Sequence, residues 1–197
     1  MDTLVLATLS RGKIAELTAL LAPIHCIPQD ALQIPEVAET GLSFVENALI
    51  KARHASRLSI YPALADDSGL VVDALQGQPG IYSARYAGEK ASDAANIRKL
   101  LENMSDVEAE ARQAYFYCAI ALVRYPDDPT PIIATGRLDG VILMSPQGQA
   151  GFGYDPVFWL PHQRKTLAEI TIEEKNQISH RAQALQSLQQ ALQVMPQ

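Results

Sequence analysis

The sequence predicts an α/β protein built on a mixed sheet. Three observations lead there. Short apolar strands alternate with amphipathic helices in the first hundred or so residues. A block of longer apolar segments follows. Of 197 residues, 48% are apolar and 19% charged, enough to fill a core. Strand–helix alternation builds parallel pairs and consecutive strands build antiparallel ones, so a chain holding both points to a mixed sheet. The length fits a single domain spanning residues 1–197, or two lobes sharing that sheet.

Leu4-Val5-Leu6-Ala7 reads as a short buried strand. Thr8-Leu9-Ser10-Arg11-Gly12 is a polar turn, and a helix is expected from about Lys13, with Ile14, Leu17, Leu20 and Leu21 on one face and Pro23 ending it. His25-Cys26-Ile27 is a second strand. After the acidic stretch Glu36–Glu39, Ser43-Phe44-Val45-Glu46 has capping-box spacing and opens a helix whose small Ala48, Ala52 and Ala55 suit close packing on a sheet. Ala63-Leu64-Ala65 is a strand that ends in the polar Asp66-Asp67-Ser68-Gly69, with Leu70-Val71-Val72 resuming the apolar pattern. Ser92 caps a helix containing Ile97, Leu100 and Leu101. Ala114–Val123 is the best strand of the chain. Ile132–Leu138 and Val141–Met144 read as two strands around an Asp139-Gly140 hairpin turn. From Ser179 the tail is helical, with Leu185, Leu188 and Leu192 in register.

Charge narrows the function. Sixteen Lys and Arg against 22 Asp and Glu leave a net charge of −6, which disfavours a nucleic-acid surface. The longest uncharged apolar-rich run, Ala114–Val123, is about half of a membrane-spanning helix. No basic segment followed by a long apolar one marks a signal peptide. Cys26 and Cys118 are far apart with no CxxC, and read as buried small apolar residues of a reducing cytosol. The four histidines make no metal-spacing pair.

Four segments carry candidate chemistry, each with a bland counterpart. Thr8–Lys13 takes a strand into a helix N-terminus, where open N–H groups and the dipole attract phosphate. It is no Walker A loop, because Ala7 and Ile14 stand where Gly and Ser/Thr are needed, and an ordinary strand–helix turn explains it equally. Asp66-Asp67 places two repelling carboxylates together, favouring a cation such as Mg²⁺ between them or a raised pKa on one; a solvated turn is the alternative. Glu39 is a third candidate carboxylate. Gly151-Phe152-Gly153-Tyr154-Asp155-Pro156 alternates glycine with aromatics able to stack on a base, or turns the chain beside the apolar run Val157–Leu160. Finally, Lys175 precedes Ser179-His180-Arg181, where cations in a first helical turn oppose the dipole and hint at an anionic or acceptor-rich partner, unless they line a solvated face. Lys51 and Arg53 read on their own as polar-face helix residues.

Together these are the parts of a nucleoside triphosphate site, and here the chain resembles the inosine triphosphate pyrophosphatases, most closely the bacterial ones. The resemblance runs along essentially the whole chain. It is carried by Thr8–Lys13, Glu39-Thr40-Gly41, Phe44–Ala48 with Lys51-Ala52, Ala65–Leu70, Pro79–Tyr86, Gly151–Pro156, Glu173-Glu174-Lys175 and Ser179-His180-Arg181. It implies a long twisted mixed β-sheet flanked by helices, two lobes with the active site in the cleft between them, Mg²⁺ as cofactor and a cytoplasmic homodimer. It also implies hydrolysis of ITP, dITP and XTP to the monophosphate and pyrophosphate, cleansing the nucleotide pool. By position, Asp67 matches the catalytic carboxylate, with Asp66 beside it, and Glu39 with Asp67 would hold the metal. Lys13, Lys51 and Lys175 match lysines that contact phosphate or substrate, with Thr8, Leu9, Ser10, Arg11, Gly12 and Ser68 as further substrate contacts. Phe152, Gly153, Tyr154, Asp155, His180 and Arg181 match the base pocket. The family's first motif usually carries Asn where this chain has Ser10, whose hydroxyl reaches less far, and commonly Gly where it has Leu9.

On this reading a water oriented or deprotonated by Asp67, alone or with Asp66, attacks the α-phosphorus and pyrophosphate leaves. A 6-oxo purine presents an acceptor to His180, Arg181 or nearby N–H groups, whereas adenine presents a donor; the unmet buried group costs about 1–3 kcal/mol. A nucleotide sensor without turnover, and a pyrophosphatase for another modified nucleotide, are the rival readings.

Overall fold

The computed structural model describes residues 2–194. Seven strands form one sheet in the order β2-β1-β3-β4-β5-β6-β7. They are β1 (Thr3–Leu6), β2 (His25–Pro28), β3 (Ala63–Val72), β4 (Gln113–Val123), β5 (Ile132–Ile142), β6 (Phe158–Leu160) and β7 (Lys165–Thr166). The helices are α1 (Arg11–Leu21), α2 (Phe44–Ser59), α3 (Asp93–Asn103), α4 (Ile172–Ile178) and α5 (His180–Val194). β1 pairs in parallel with β2 and β3, whereas β5–β6 and β6–β7 are antiparallel. The sheet is therefore mixed, as the sequence predicts. Among the described residues no helix is long and apolar enough to cross a membrane.

The chain divides into two compact units. The first comprises the stretch up to Asp67, Cys118–Gly136 and the stretch from Gln183; the second comprises Ser68–Tyr117 and Arg137–Ala182. In the first unit, strand alternation sorts the core onto two faces. Leu4, Leu6 and Leu64 pack with Leu17 and Leu21 of α1 and with Leu185 and Leu188 of α5. Val5, Ala7, Ala63 and Ala65 pack with Ala48, Ala52 and Ala55 of α2, all three fully buried. The small residues let α2 approach the sheet closely, as the sequence suggests. Cys26 and Cys118 are both free thiols; Cys118 is buried as expected, but Cys26, on the outermost strand β2, is only half-buried.

The second unit is built on larger side chains. Leu70, Val72, Ile97, Leu100, Met104, Phe116 and Phe158 share one cluster, and the Phe116 and Phe158 rings meet with centroids 4.7 Å apart at a 47° tilt. Arg112 is buried here without a carboxylate partner among its hydrogen bonds. Its guanidinium donates to the carbonyls of Ile142, Met104, Val107 and Leu143, and burial pulls its pKa below the ordinary arginine value.

Three expectations need correction. Asp66-Asp67-Ser68-Gly69 does not end a strand; β3 runs unbroken through it for ten residues. Asp139-Gly140 is no hairpin turn, because β5 also continues through it. Gly140 is there for space: a Cβ would stand 2.5 Å from the Phe158 ring and 2.6 Å from the Trp159 carbonyl. Helix α1 begins at Arg11, two residues before Lys13. Helix α4, absent from the sequence reading, is opened by a complete capping box between Thr171 and Glu174.

Candidate active site

The first unit gathers the carboxylates and lysines. Because successive strand residues point to opposite faces, Asp66 and Asp67 do not form a shared pair. Asp66 lies on the α1 face, where Lys13 Nζ meets its Oδ2 at 2.7 Å. Asp67 lies on the α2 face, where Lys51 Nζ is 3.6 Å from Oδ1 and the Asn47 amide donates to Oδ2 at 3.2 Å. The expected cation between two neighbouring carboxylates thus becomes two cations, one per face. Lys51 also reaches Glu39 Oε1 at 2.7 Å, so Glu39 and Asp67 converge on one ammonium from different segments. Burial would lower the Lys51 pKa, but Asp67, Glu39 and Asp66 together outweigh it and hold the pKa above the usual lysine value.

Sequence explains this local geometry. Ser43 Oγ accepts the Glu46 N–H, and the Glu46 carboxylate takes the Leu42 N–H and the Ser43 hydroxyl, both at 2.8 Å. Capping fixes the start of α2, and Lys51 then follows one helical turn after Asn47. At the start of α1, Ser10 occupies the N-cap but its side chain makes no capping bond; its N–H donates to Thr8 Oγ1 instead, at 3.2 Å. A Cβ on Gly12 would meet nothing within 4 Å, and Leu9, Ser10 and Arg11 are exposed. This helix start is open to an anion.

Two carboxylates meeting at one cation suit a hard divalent ion. Among the described residues no three His, Cys, Asp or Glu side chains cluster as a metal-binding group. Glu39 and Asp67 supply hard oxygen donors of the kind Mg²⁺ takes, one or two carboxylates with its remaining ligands from water and phosphate.

The second unit holds a pocket of about 190 Å³, the same order as the ~150 Å³ cavity that admits a benzene ring. Ser68, Phe152, Asp155, Lys175, His180 and Arg181 line it. Phe152 is exposed and rides on a loop whose Gly151 and Gly153 have φ of 80° and 59°. A Cβ on Gly151 would collide with the Asp155 carboxylate, so glycine is required there. The same carboxylate, buried, accepts the Phe152 N–H at 2.9 Å and the Lys175 ammonium, while Lys175 Nζ stands 4.2 Å from the Phe152 ring centre. Lys175 is thus a pocket residue tied to Asp155.

Two predicted contacts take other roles in the pocket wall. Tyr154 is not a free stacking surface: its ring belongs to the core and its hydroxyl donates to the Ser83 carbonyl at 2.8 Å. Burial, with Tyr86 and Asp93 adding, pushes its pKa well above the usual phenol value. His180 stacks on Phe116, centroids 5.0 Å apart and planes 14° from parallel. Ser179 Oγ accepts the Ala182 N–H at 3.1 Å, which caps α5 as expected. The sequence reading missed Asn47, Phe116 and Asp93, whose Oδ2 accepts the Gly153 N–H at 2.7 Å. Asp93 had a signal, an acid one residue after a capping Ser, and Asn47 lies inside the Phe44–Ala48 motif without a role attached; Phe116 looks like an ordinary strand residue.

A sequence model of the Ham1 family matches residues 4–191. The chain belongs to the Ham1 family. This Ham1 protein is 59% identical to a dITP/XTP pyrophosphatase of Legionella pneumophila (strain Paris), over 98% of this chain and 99% of that relative. It is 52% identical to a dITP/XTP pyrophosphatase of Escherichia coli (strain K12), over 98% of both. Among solved structures, a HAM1 protein from Coxiella burnetii superposes with a TM-score of 0.95 at 47% identity, over 99% of this chain and 100% of that one. A nucleoside-triphosphatase / dITP/XTP pyrophosphatase from Mycobacterium abscessus gives 0.83 at 42% identity, over 98% and 100%.

Proposed function

We propose that this Ham1 protein hydrolyses non-standard purine nucleoside triphosphates, dITP, XTP and ITP among them, to the monophosphate and pyrophosphate. The observation that carries the reading is the cluster in which Lys51 joins Glu39 and Asp67, in a chain 59% identical to a dITP/XTP pyrophosphatase. The first unit supplies what a triphosphate needs: Lys13, Lys51 and the N–H groups at the start of α1 neutralise and orient its oxygens. Glu39 and Asp67 are the residues that would hold Mg²⁺, which supplies further charge neutralisation on the phosphate oxygens. Asp67 also orients the attacking water and takes its proton, and Asp66 holds Lys13 in place. In-line positioning of water, α-phosphorus and leaving pyrophosphate does most of the catalysis.

The second unit supplies what a purine needs. Phe152 offers a ring face, and Lys175, His180 and Arg181 offer donors to a 6-oxo group. A 6-amino group would set donor against donor, costing about 1–3 kcal/mol, or about 5- to 150-fold. We further propose a cytoplasmic homodimer that uses neither nucleic acid nor membrane; light scattering at twice the chain mass checks the dimer.

The direct test incubates the purified chain and Mg²⁺ with dITP, ITP, XTP, GTP and ATP, identifying products by phosphorus NMR. Monophosphate and pyrophosphate from the first three, with ATP much slower, are expected, and the GTP rate shows whether the 6-oxo group alone decides. Diphosphate with inorganic phosphate, or binding without turnover, would refute the proposal.

A further inference from the structure

Asn47 sits in the first turn of α2, one residue after the capping Glu46, and is fully buried. Its two amide ends do different things. Oδ1 accepts the Gly41 N–H at 2.9 Å, and Nδ2 donates to Asp67 Oδ2 at 3.2 Å. Because the Gly41 group is a donor, the amide oxygen must face it, so the NH₂ faces Asp67; the chemistry settles the amide's orientation. Gly41 itself is shaped to this contact. A Cβ there would stand 2.5 Å from Glu46 Cβ and 2.8 Å from Asn47 Oδ1.

These bonds close a circuit. Two residues before Gly41, Glu39 reaches Lys51 at 2.7 Å, and Lys51 returns to Asp67 Oδ1 at 3.6 Å. With Oδ2 held by Asn47, the Asp67 carboxylate has one rotation at which Oδ1 meets Lys51. We propose that Asn47 is a positioning residue of the hydrolytic reaction: it ties the segment carrying Glu39 to Asp67 and fixes how that carboxylate is turned. The inference rests on the pyrophosphatase reading above and adds a residue to it.

The test measures kcat and KM for dITP in the wild type, Asn47→Ala, Asp67→Asn and the double variant. A misplacement of about 1 Å near reacting groups costs on the order of 10²-fold, so Asn47→Ala should lower kcat by ~30-fold with KM nearly unchanged. If Asn47 acts through Asp67, the double variant falls little below Asp67→Asn alone. A near-normal kcat in Asn47→Ala, or losses that multiply in the double variant, would overturn the proposal. Should Asn47→Ala fail to fold, Gly41→Ala strikes the same link from outside the helix, its Cβ pressing on Asn47 Oδ1; a kcat per folded molecule about tenfold down supports the circuit, and an unchanged kcat sinks it. Hydrogen exchange at the Gly41 amide gives a readout apart from turnover, slow in the wild type and faster in Asn47→Ala; equal rates also overturn the link. A wild type that releases no pyrophosphate from dITP overturns the functional reading instead, an outcome distinct from an active wild type indifferent to Asn47.

Discussion

Lys51 in the first unit and Lys175 in the second are both ammonium groups set against carboxylates, yet their surroundings differ in kind. Lys51 is joined by Glu39 and Asp67, carboxylates from two segments, with no aromatic ring over it among its described contacts. Lys175 has Asp155, which also accepts a backbone N–H, and lies over the Phe152 ring. The first arrangement concentrates charge; the second uses an ion pair to hold a loop and an aromatic face in shape. On the proposed function, the first unit senses the polyphosphate that every nucleoside triphosphate shares, and the second senses what distinguishes one purine from another.

Substitutions can break that division. Asp67→Asn should lower kcat on the order of 10³-fold while dITP still binds, as steady-state kinetics and calorimetric titration would show; turnover near the wild-type rate removes Asp67 from the chemistry. A crossed pair comes next. Lys51→Met should cut kcat/KM by about 10²-fold for every nucleotide and weaken inhibition by inorganic tripolyphosphate, which lacks a purine. Arg181→Ala should raise KM for dITP about tenfold and leave tripolyphosphate inhibition alone. If both variants respond alike to tripolyphosphate, the division is wrong. Phe152→Ala should raise KM for dITP by about fivefold or more, the lower end of base–aromatic stacking, with little change in kcat.

The smallest effect on activity is expected at Asp128, a buried carboxylate of the first unit outside the lysine cluster. Hydrogen bonds from Arg124 hold its pKa well below the usual range despite burial, with the Arg124 and Thr130 N–H groups adding to them. A depressed folded-state pKa contributes stability that is present above the unfolded value of about 4 and lost as pH falls through the folded one. Asp128→Asn should therefore lower the melting temperature by a few degrees at pH 7, less below about pH 4, with kcat/KM little changed; calorimetric melts across that range check it.

How far the sequence carries depends on whether a signal is local. Capping and period are local, so α2, α3 and the start of α5 are legible from Ser43, Ser92 and Ser179. The mixed sheet is legible because alternation precedes consecutive strands. Asp66-Asp67 and Asp139-Gly140 mislead for the same reason: turn-type residues sit inside strands because of something distant in sequence. Lys13 and Lys51 compensate the buried aspartates, and the Phe158 ring fills the space a Cβ on Gly140 would need. Pairing within the candidate site is likewise non-local. The motif residues mark Lys51, Glu39 and Asp67, but not that Asp66 and Asp67 face opposite ways, nor that Asn47 bridges Gly41 to Asp67. Those facts follow from the pleat and the closure of the fold.

An ammonium gripped as Lys51 is sheds its proton less readily than an ordinary lysine, and only the neutral amine attacks an electrophile. Amine-reactive labels should therefore modify Lys51 more slowly than an exposed lysine at neutral pH. The same grip shields this lysine from stray chemical damage.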